Sequence, residues 1–483
     1  MTVYLVGTGP GDPSLLTLRA AELISAADAL VHDADADGEV LALAPVGAPR
    51  HDVGAGLPAK EVGELLVRLG RRHDRVVRLL GGDPFCFGPG GEEALALAAA
   101  EVAFEVVPGV PPAAGAAAYA GIPLTHGGGP GCVVVVAAPA PDRGQVDWGA
   151  LARTGGTIVV LLGARDPGEV ARALLAGGLD ASTPAALVED GSRTAQRTRR
   201  STLGELGPTQ VGPRAVLVVG EVAVLDLSSF ERRPLLGWRV VVTRSPRQAS
   251  PLAAALRRAG ATAVEVPTIA IAGPSDGGAA LREALSRVGS FDWLAVTSAN
   301  AVEAVFAELV DARQLAGVKV AAVGAATAAA LAAHGVVADL VPDEAAGEAL
   351  ASCFGPAPAQ GAAVLVPQAA GAREALRAGL DERGYTVEVV EAYRTVRLER
   401  DERAFARLAG ADAITFSSPS TLAGFLESYG RESLPPVVVT IGPVTSRAAA
   451  SHSVAVDAEA PEASVAGLVD ALVRVAASRR CEP

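Results

Sequence analysis

The chain has 483 residues, more than one hydrophobic core usually spans, which predicts two to four domains. Its composition is globular, 50% hydrophobic and 20% charged, with no apolar run of about 18 residues to cross a membrane, and its net charge of −13 argues against nucleic acid and anionic membranes as partners. Four scattered cysteines (Cys86, Cys132, Cys353, Cys481) form no C-x-x-C pair, which counts against a metal site and fits a reducing, cytoplasmic location; two lysines, Lys60 and Lys319, leave little scope for Schiff-base chemistry.

The strand-like run Val3–Val6 leads into a loop carrying Gly7, Gly9, Pro10, Gly11 and Pro13, and LLTLRAAELI then reads as a helix; with a strand this early, no signal or transit peptide is expected. A G-x-G-x-x-G dinucleotide motif would need glycine at position 12, where Asp12 stands, and this weakens a nicotinamide-dependent oxidoreductase reading. Further strands are predicted at Val76–Leu79, Val133–Ala137, Ile158–Leu162 and Ala215–Val219, alternating with Ala/Leu-rich helical stretches, an α/β pattern. A second Gly-rich loop, RLLGGDPFCFGPGGEE, spans Arg78–Glu93, and YAGIPLTH spans Tyr119–His126. GGGPG at Gly127–Gly131 marks a joint between two lobes, about 1–127 and 128–225, and the polar stretch 226–237 reads as a linker.

A new strand, Trp238–Thr243, opens a second half with an internal repeat. DWLAVTSANAVEAVF followed by VAAVGAATAAALAAHG is echoed by DAITFSSPSTLAGFL followed by VVVTIGPVTSRAAASH. Each copy reads as a strand, a Ser/Thr-rich turn, a helix, a second strand and a Gly-x-x-Thr turn into another helix, which predicts two similar α/β lobes facing a cleft.

The loops of the first half, with Tyr119–His126, resemble the tetrapyrrole methylases, specifically uroporphyrinogen-III C-methyltransferase, over about 1–225. The resemblance implies a two-lobed fold and S-adenosylmethionine as cofactor, bound by Pro10, Gly81, Gly82, Asp83, Cys86, Leu162 and Gly191. It implies Asp33 as catalytic carboxylate and Glu92 as a substrate contact. Several of the family's polar positions are changed: Ala34, Ala55, Leu80, Pro89 and Gly127 replace basic residues, and Pro111-Pro112 replaces a hydroxyl-bearing pair. Losing about six contacts at roughly 1–3 kcal/mol each predicts lost or altered methyl transfer on an octacarboxylate. Related methylases are dimers, which implies a homodimer through this half.

The second half resembles uroporphyrinogen-III synthase from about Trp238 to Val475, through VVVTR, VPTI, TSAN, EAYRT, SSPST and IGPVT. That family closes hydroxymethylbilane to uroporphyrinogen III with inversion of the last ring and without a cofactor. The implied fold is one lobe from about 238–268 plus 395–475 and another from about 269–394, joined by a two-stranded connection. Tyr393 occupies the family's tyrosine position, where a phenol assists departure of the substrate hydroxyl. Thr297, Ser298, Ser417, Ser418 and Thr445 sit at predicted strand-to-helix turns, where free N–H groups and the helix dipole bind carboxylates; the same hydroxyls also serve as N-caps. Arg244 and Arg373 are further candidates for substrate carboxylates, while Gln368 stands where the family often has a base.

Three readings of the first half stand side by side: a working methyltransferase, a retained fold with lost catalysis, and a non-catalytic module that senses S-adenosylmethionine or docks hydroxymethylbilane synthase.

Overall fold

A computed structural model describes the chain except residues 35, 46, 55–56, 128, 130, 139–145, 244–245, 359–360, 373 and 481–483. Two compact units result, the first built on Met1–Arg239 and the second on Val240–Ala254 with Ala263–Val475; the short segment Ala255–Thr262 and the residues from Ala476 group with the first.

The first unit holds two five-stranded sheets. Strands β1 (Thr2–Gly7), β2 (Ala29–His32), β3 (Arg50–Asp52), β4 (Arg75–Leu80) and β5 (Phe104–Val107) form a parallel sheet in the order β3-β2-β4-β1-β5. Its central strands are buried on both faces, as continuous apolar runs in a parallel sheet require. Strands β6 (Val133–Ala137), β7 (Thr157–Gly163), β8 (Pro184–Glu189), β9 (Arg197–Thr202) and β10 (Ala215–Val219) form a mixed sheet in the order β6-β7-β10-β8-β9. The first helix begins at Leu18, later than its apolar run suggests. Thr17 caps it by accepting from the Ala20 N–H at 3.1 Å, and Pro13–Leu15 form a separate 3₁₀ turn.

The second unit also carries two sheets. Strands β11 (Arg239–Val242), β12 (Thr262–Glu265), β18 (Ala413–Phe416), β19 (Val438–Thr440) and β20 (Ala458–Glu459) make one, in the order β12-β11-β18-β19-β20. Strands β13 (Ile269–Ala272), β14 (Trp293–Val296), β15 (Lys319–Ala322), β16 (Ala363–Ala369) and β17 (Thr386–Arg397) make the other, in the order β13-β17-β16-β14-β15. A two-stranded connection joins them: β13 runs antiparallel to the end of β17, from Ile269 opposite Arg397 to Ala272 opposite Arg394, and the Leu398 N–H donates to the Thr268 carbonyl at 3.0 Å.

The repeat is realised in three dimensions. Strand β14, helix Ala299–Glu308, strand β15 and helix Ala325–Ala333 match β18, Pro419–Tyr429, β19 and Pro443–Ser451. Equivalent polar clamps accompany them. Asp339 accepts from the Val320 N–H at 2.7 Å and Asp457 from the Val438 N–H at 2.8 Å, each fixing the start of the copy's second strand.

Candidate functional sites

In the first unit, three loops leave the C-terminal ends of β1, β4 and β5, where ligands bind in parallel α/β sheets. They are stitched together by backbone bonds: Gly9 and Gly82 exchange N–H···O contacts at 3.1 and 2.8 Å. Asp83 accepts from the Phe85 N–H at 2.9 Å and the Gly109 N–H at 3.0 Å, so its carboxylate already fastens the loop that it belongs to. Gly82 has φ +70°, and a Cβ there would lie 2.6 Å from Cδ of Pro112, so only glycine admits this approach. A cavity of about 260 Å³ opens beside these loops, with Pro10, Phe87, Pro112, Ala116, Leu161, Gly163, Gly191 and Arg214 among its walls.

The strand phase of β7 turns Leu161 and Gly163 to this cavity. Leu162, the residue expected there, is 1% exposed and packs in the core of the mixed sheet instead. Cys86 lies in the second loop, and its thiol is pushed up by burial and then by nearby Asp83, which makes it no ready nucleophile. Pro10, Gly81, Gly82 and Asp33 line an adjoining recess.

Beneath that recess lies a charge cluster that the sequence did not reveal. Arg78, in the middle of β4, donates to Glu93 at 3.1–3.2 Å and to the Leu79 carbonyl at 3.1 Å, and it pairs with Asp33 at 2.8 Å. The available signal was an arginine inside RVVRLL, since a cation in a buried strand requires a partner. Burial pushes the Glu93 carboxyl up, opposed by the Arg78 charge. Glu92, next in line, is exposed. Of the positions where basic residues are missing, Leu80 is buried in the apolar core and Pro89 precedes helix Gly90–Ala99. Ala55 lies outside the described residues.

In the second unit, Ser298 caps helix Ala299–Glu308, accepting from the Ala301 N–H at 3.1 Å. Its Oγ lies 3.0 Å from the Tyr393 hydroxyl. Pairing between β16 and β17 shifts register here: Gln368 opposes Glu391, but Ala369 opposes Tyr393. The irregularity lets Ala392 and Tyr393, neighbours in sequence, both pack against the cluster that includes Val302 and Val305, which strict strand alternation forbids. Thr297 is half-buried beside Ser298.

In the other lobe, Ser418 caps Pro419–Tyr429 by accepting from the Thr421 N–H at 3.3 Å, with Ser417 half-buried before it. Thr445 is 2% exposed, which places its side chain in the helix wall and not on an open surface. Arg244 and Arg373 lie outside the described residues.

A family model for uroporphyrinogen-III synthase HemD matches residues 250–470, and one for tetrapyrrole (corrin/porphyrin) methylases matches 2–207. A porphyrin biosynthesis protein HemD from Ruminiclostridium josui is 32% identical across 98% of both chains. The chain belongs to this HemD family. Its HemD-type synthase domain is fused to a tetrapyrrole methylase domain, and the fused chain is an enzyme of tetrapyrrole synthesis. Over the first half, an S-adenosyl-L-methionine-dependent uroporphyrinogen III methyltransferase from Methanosarcina barkeri is 42% identical, covering 48% of this chain and 95% of that protein. This chain spans about half the length of the siroheme synthases that it also matches. Among solved structures, uroporphyrin-III C-methyl transferase from Thermus thermophilus, complexed with S-adenyl homocysteine, is 41% identical over 46% of this chain and 98% of that one, with a TM-score of 0.41. No described helix is long and apolar enough to cross a membrane.

Proposed function

We propose that the second unit closes hydroxymethylbilane to uroporphyrinogen III with inversion of the last ring, and that Tyr393 is its catalytic residue. The observation that carries this reading is the Ser298–Tyr393 pair at a helix N-terminus. The reaction needs a hydroxyl to depart from a flexible octa-anion held in one bent conformation, so positioning dominates. The Tyr393 hydroxyl donates to the departing oxygen, while Ser298 fixes the phenol's direction. The helix N-terminus beside it attracts a substrate carboxylate, a role shared by Thr297 and, in the other lobe, by Ser417 and Ser418. Arg244 and Arg373 are assigned to further carboxylates on the resemblance alone, and Thr445 to framing its turn.

For the first unit we propose S-adenosylmethionine binding with little or no methyl transfer to uroporphyrinogen III. The residues fit the cofactor: the cavity is walled mostly by apolar groups, prolines, alanines and glycines with Phe87 and Leu161, and has Arg214 at its side, and the direction of a Cβ at Gly81 is open. Bound there, the cofactor would supply an activated methyl group. Pro10, Gly82, Cys86 and Gly191 would shape its cleft, with Asp83 holding the loop. The substrate side, however, offers Asp33 and Glu92 where an octacarboxylate needs cations, and Ala34, Leu80, Pro89 and Gly127 supply none. Homodimerisation through this unit, docking to hydroxymethylbilane synthase and a cytoplasmic location belong to the same proposal, as do domain limits at 1–225 and 238–475 with a linker at 226–237.

One assay tests both halves: incubation of the full chain with hydroxymethylbilane, with and without S-adenosylmethionine, followed by product identification. The type III isomer in both reactions, with at most traces of methylated product, is expected. Type I isomer alone would refute the synthase assignment, and methylation at enzymatic rates of about 1 s⁻¹ or more would refute the loss of transfer.

A further inference from the structure

Among the described residues that wall the cavity beside the Gly-rich loops, Arg214 has the one charged side chain; Pro10, Phe87, Pro112 and Leu161 stand around it. Arg214 immediately precedes β10 and also lines the adjoining recess with Gly81 and Gly82, where Asp33 pairs with Arg78 and Asp37 with Arg193. It therefore stands where the apolar cavity meets the polar recess. Its Nη1 donates to Asp190 Oδ1 at 3.3 Å, with the two side chains 34% and 37% exposed. The loop that carries Asp190 is constrained. Asp190 and Ser192 have φ +48° and +67°, a region that residues with a Cβ seldom occupy. The Ser192 N–H donates to Gln196 Oε1 at 2.7 Å, the Asp12 N–H to Ser192 Oγ at 3.1 Å, and the Arg193 N–H to the Asp190 carbonyl at 2.9 Å. Gly191 packs so closely on Ala116 that an added Cβ would lie 2.3 Å from the alanine Cβ. Backbone strain held in place by its surroundings in this way gathers at ligand clamps.

We propose that Arg214 is a specificity-determining residue that binds the amino-acid carboxylate of the cofactor, and that Asp190 is the positioning residue that aims it. The inference rests on reading the first unit as a binder of S-adenosylmethionine. That ligand has one anionic group, its amino-acid carboxylate, and at the other end a flat aromatic adenine. The cavity divides the same way: Phe87, Pro112 and Leu161 suit the adenosine, and Arg214 suits the carboxylate. The pairing needs no uncancelled charge. A guanidinium presents five donors in a planar fork and serves two carboxylates at once, as Arg78 does with Glu93 and Asp33. The Arg214–Asp190 pair is neutral overall, and so is the ligand's amino-acid end with its ammonium and carboxylate. The match is therefore one of direction, supplied by charge-assisted hydrogen bonds whose fork is fixed in advance.

Calorimetric titration of the full chain with S-adenosylhomocysteine and with methylthioadenosine tests this. Both are uncharged at sulfur, and the second carries a methyl group where the first carries the amino-acid end. Wild type should bind S-adenosylhomocysteine about tenfold more tightly, which corresponds to about 1.4 kcal/mol. Arg214→Met should bring that ratio close to one by weakening S-adenosylhomocysteine alone. Arg214→Lys should keep part of the ratio, because a point charge remains without the fork. Asp190→Asn, which tolerates the same left-handed backbone, should give an intermediate ratio. An unchanged ratio in folded Arg214→Met, or an equal loss for both ligands, overturns the assignment while leaving the binding reading intact. Wild type that binds neither ligand overturns both. Thermal unfolding reports the fold of each variant, and if Arg214→Met does not fold, the ratio in Asp190→Asn decides.

Discussion

The Ser298 Oγ and the Tyr393 hydroxyl stand 3.0 Å apart, although 95 residues separate them in the chain. The contact depends on a β-irregularity between Gln368 and Ala369, which changes the facing of the last residues of β17, and on a capped helix start after β14. Ser298 therefore has two tasks, to begin a helix and to orient a phenol.

Tyr393→Phe removes the proposed proton donor and little else. Cyclisation to the type III isomer should fall on the order of 10- to 10³-fold, with the unfolding midpoint close to wild type. Ser298→Ala should lose activity as well, and also about 0.5–2 kcal/mol of stability through the lost cap. Isomer analysis of the product, set beside urea denaturation, separates the two effects. Unchanged turnover in Tyr393→Phe would assign the residue to packing.

Restoring cations should partly restore substrate binding in the first unit. Pro89 has φ −81°, a backbone that arginine adopts without strain, and Ala34 directly follows Asp33. The double substitution Ala34→Arg with Pro89→Arg should tighten binding of uroporphyrinogen III by about 1–3 kcal/mol per regained charged contact. Mass spectrometry of anaerobic reactions containing S-adenosylmethionine reads any accompanying rise in methylated product. An affinity no better than wild type would show that these positions do not face the substrate.

Arg78→Met should cost about 3–5 kcal/mol, because Glu93 is left as a buried carboxyl without its cation. The pH dependence follows from the sign of the shift. Glu93 is already raised above its ordinary value of 4.5, and losing Arg78 raises it further. A carboxyl raised on folding contributes stability that is present below its unfolded value and is lost as pH rises through its folded value. The deficit of Arg78→Met should therefore be small in acid and widen as pH climbs above 4.5. Urea titrations across that range check it, and Arg78→Met combined with Glu93→Leu should recover much of the loss.

Tyr119 donates to Asp12 at 2.9 Å, and burial, followed by the Asp12 charge, pushes its phenol up from 10.0 to about 12. Its raised folded value means that stability is intact below pH 10 and declines as pH rises toward 12, because the unfolded chain ionises first. Tyr119→Phe should flatten that alkaline decline. Thermal unfolding of both proteins across this interval supplies the comparison, and parallel curves would show that Tyr119 is not responsible.

Strand positions were legible in the sequence wherever a continuous apolar run had to be buried on both faces. Val3–Val6, Val76–Leu79 and Ala215–Val219 all fall inside β1, β4 and β10, and the two-copy grammar of the second half reappears as matching strands, helices and aspartate clamps. Glycine-rich loops were legible for the same kind of local reason: backbone packed as tightly as at Gly82 excludes a Cβ. The side chains' directions were not legible. Leu162 turned to the core and Leu161 to the cavity, because a single-residue change of phase in a strand exchanges its faces. Helix start was settled by Thr17, whose oxygen competes locally for backbone donors more effectively than the apolar run before it. The pairing of Arg78 with Glu93 and Asp33, and the turn of Tyr393 toward Ser298, required strands and helices distant in sequence to meet. Sequence fixes which groups must find partners once buried, whereas only tertiary packing decides which partners they find, since that choice minimises the desolvation of the whole cluster and not of any one residue.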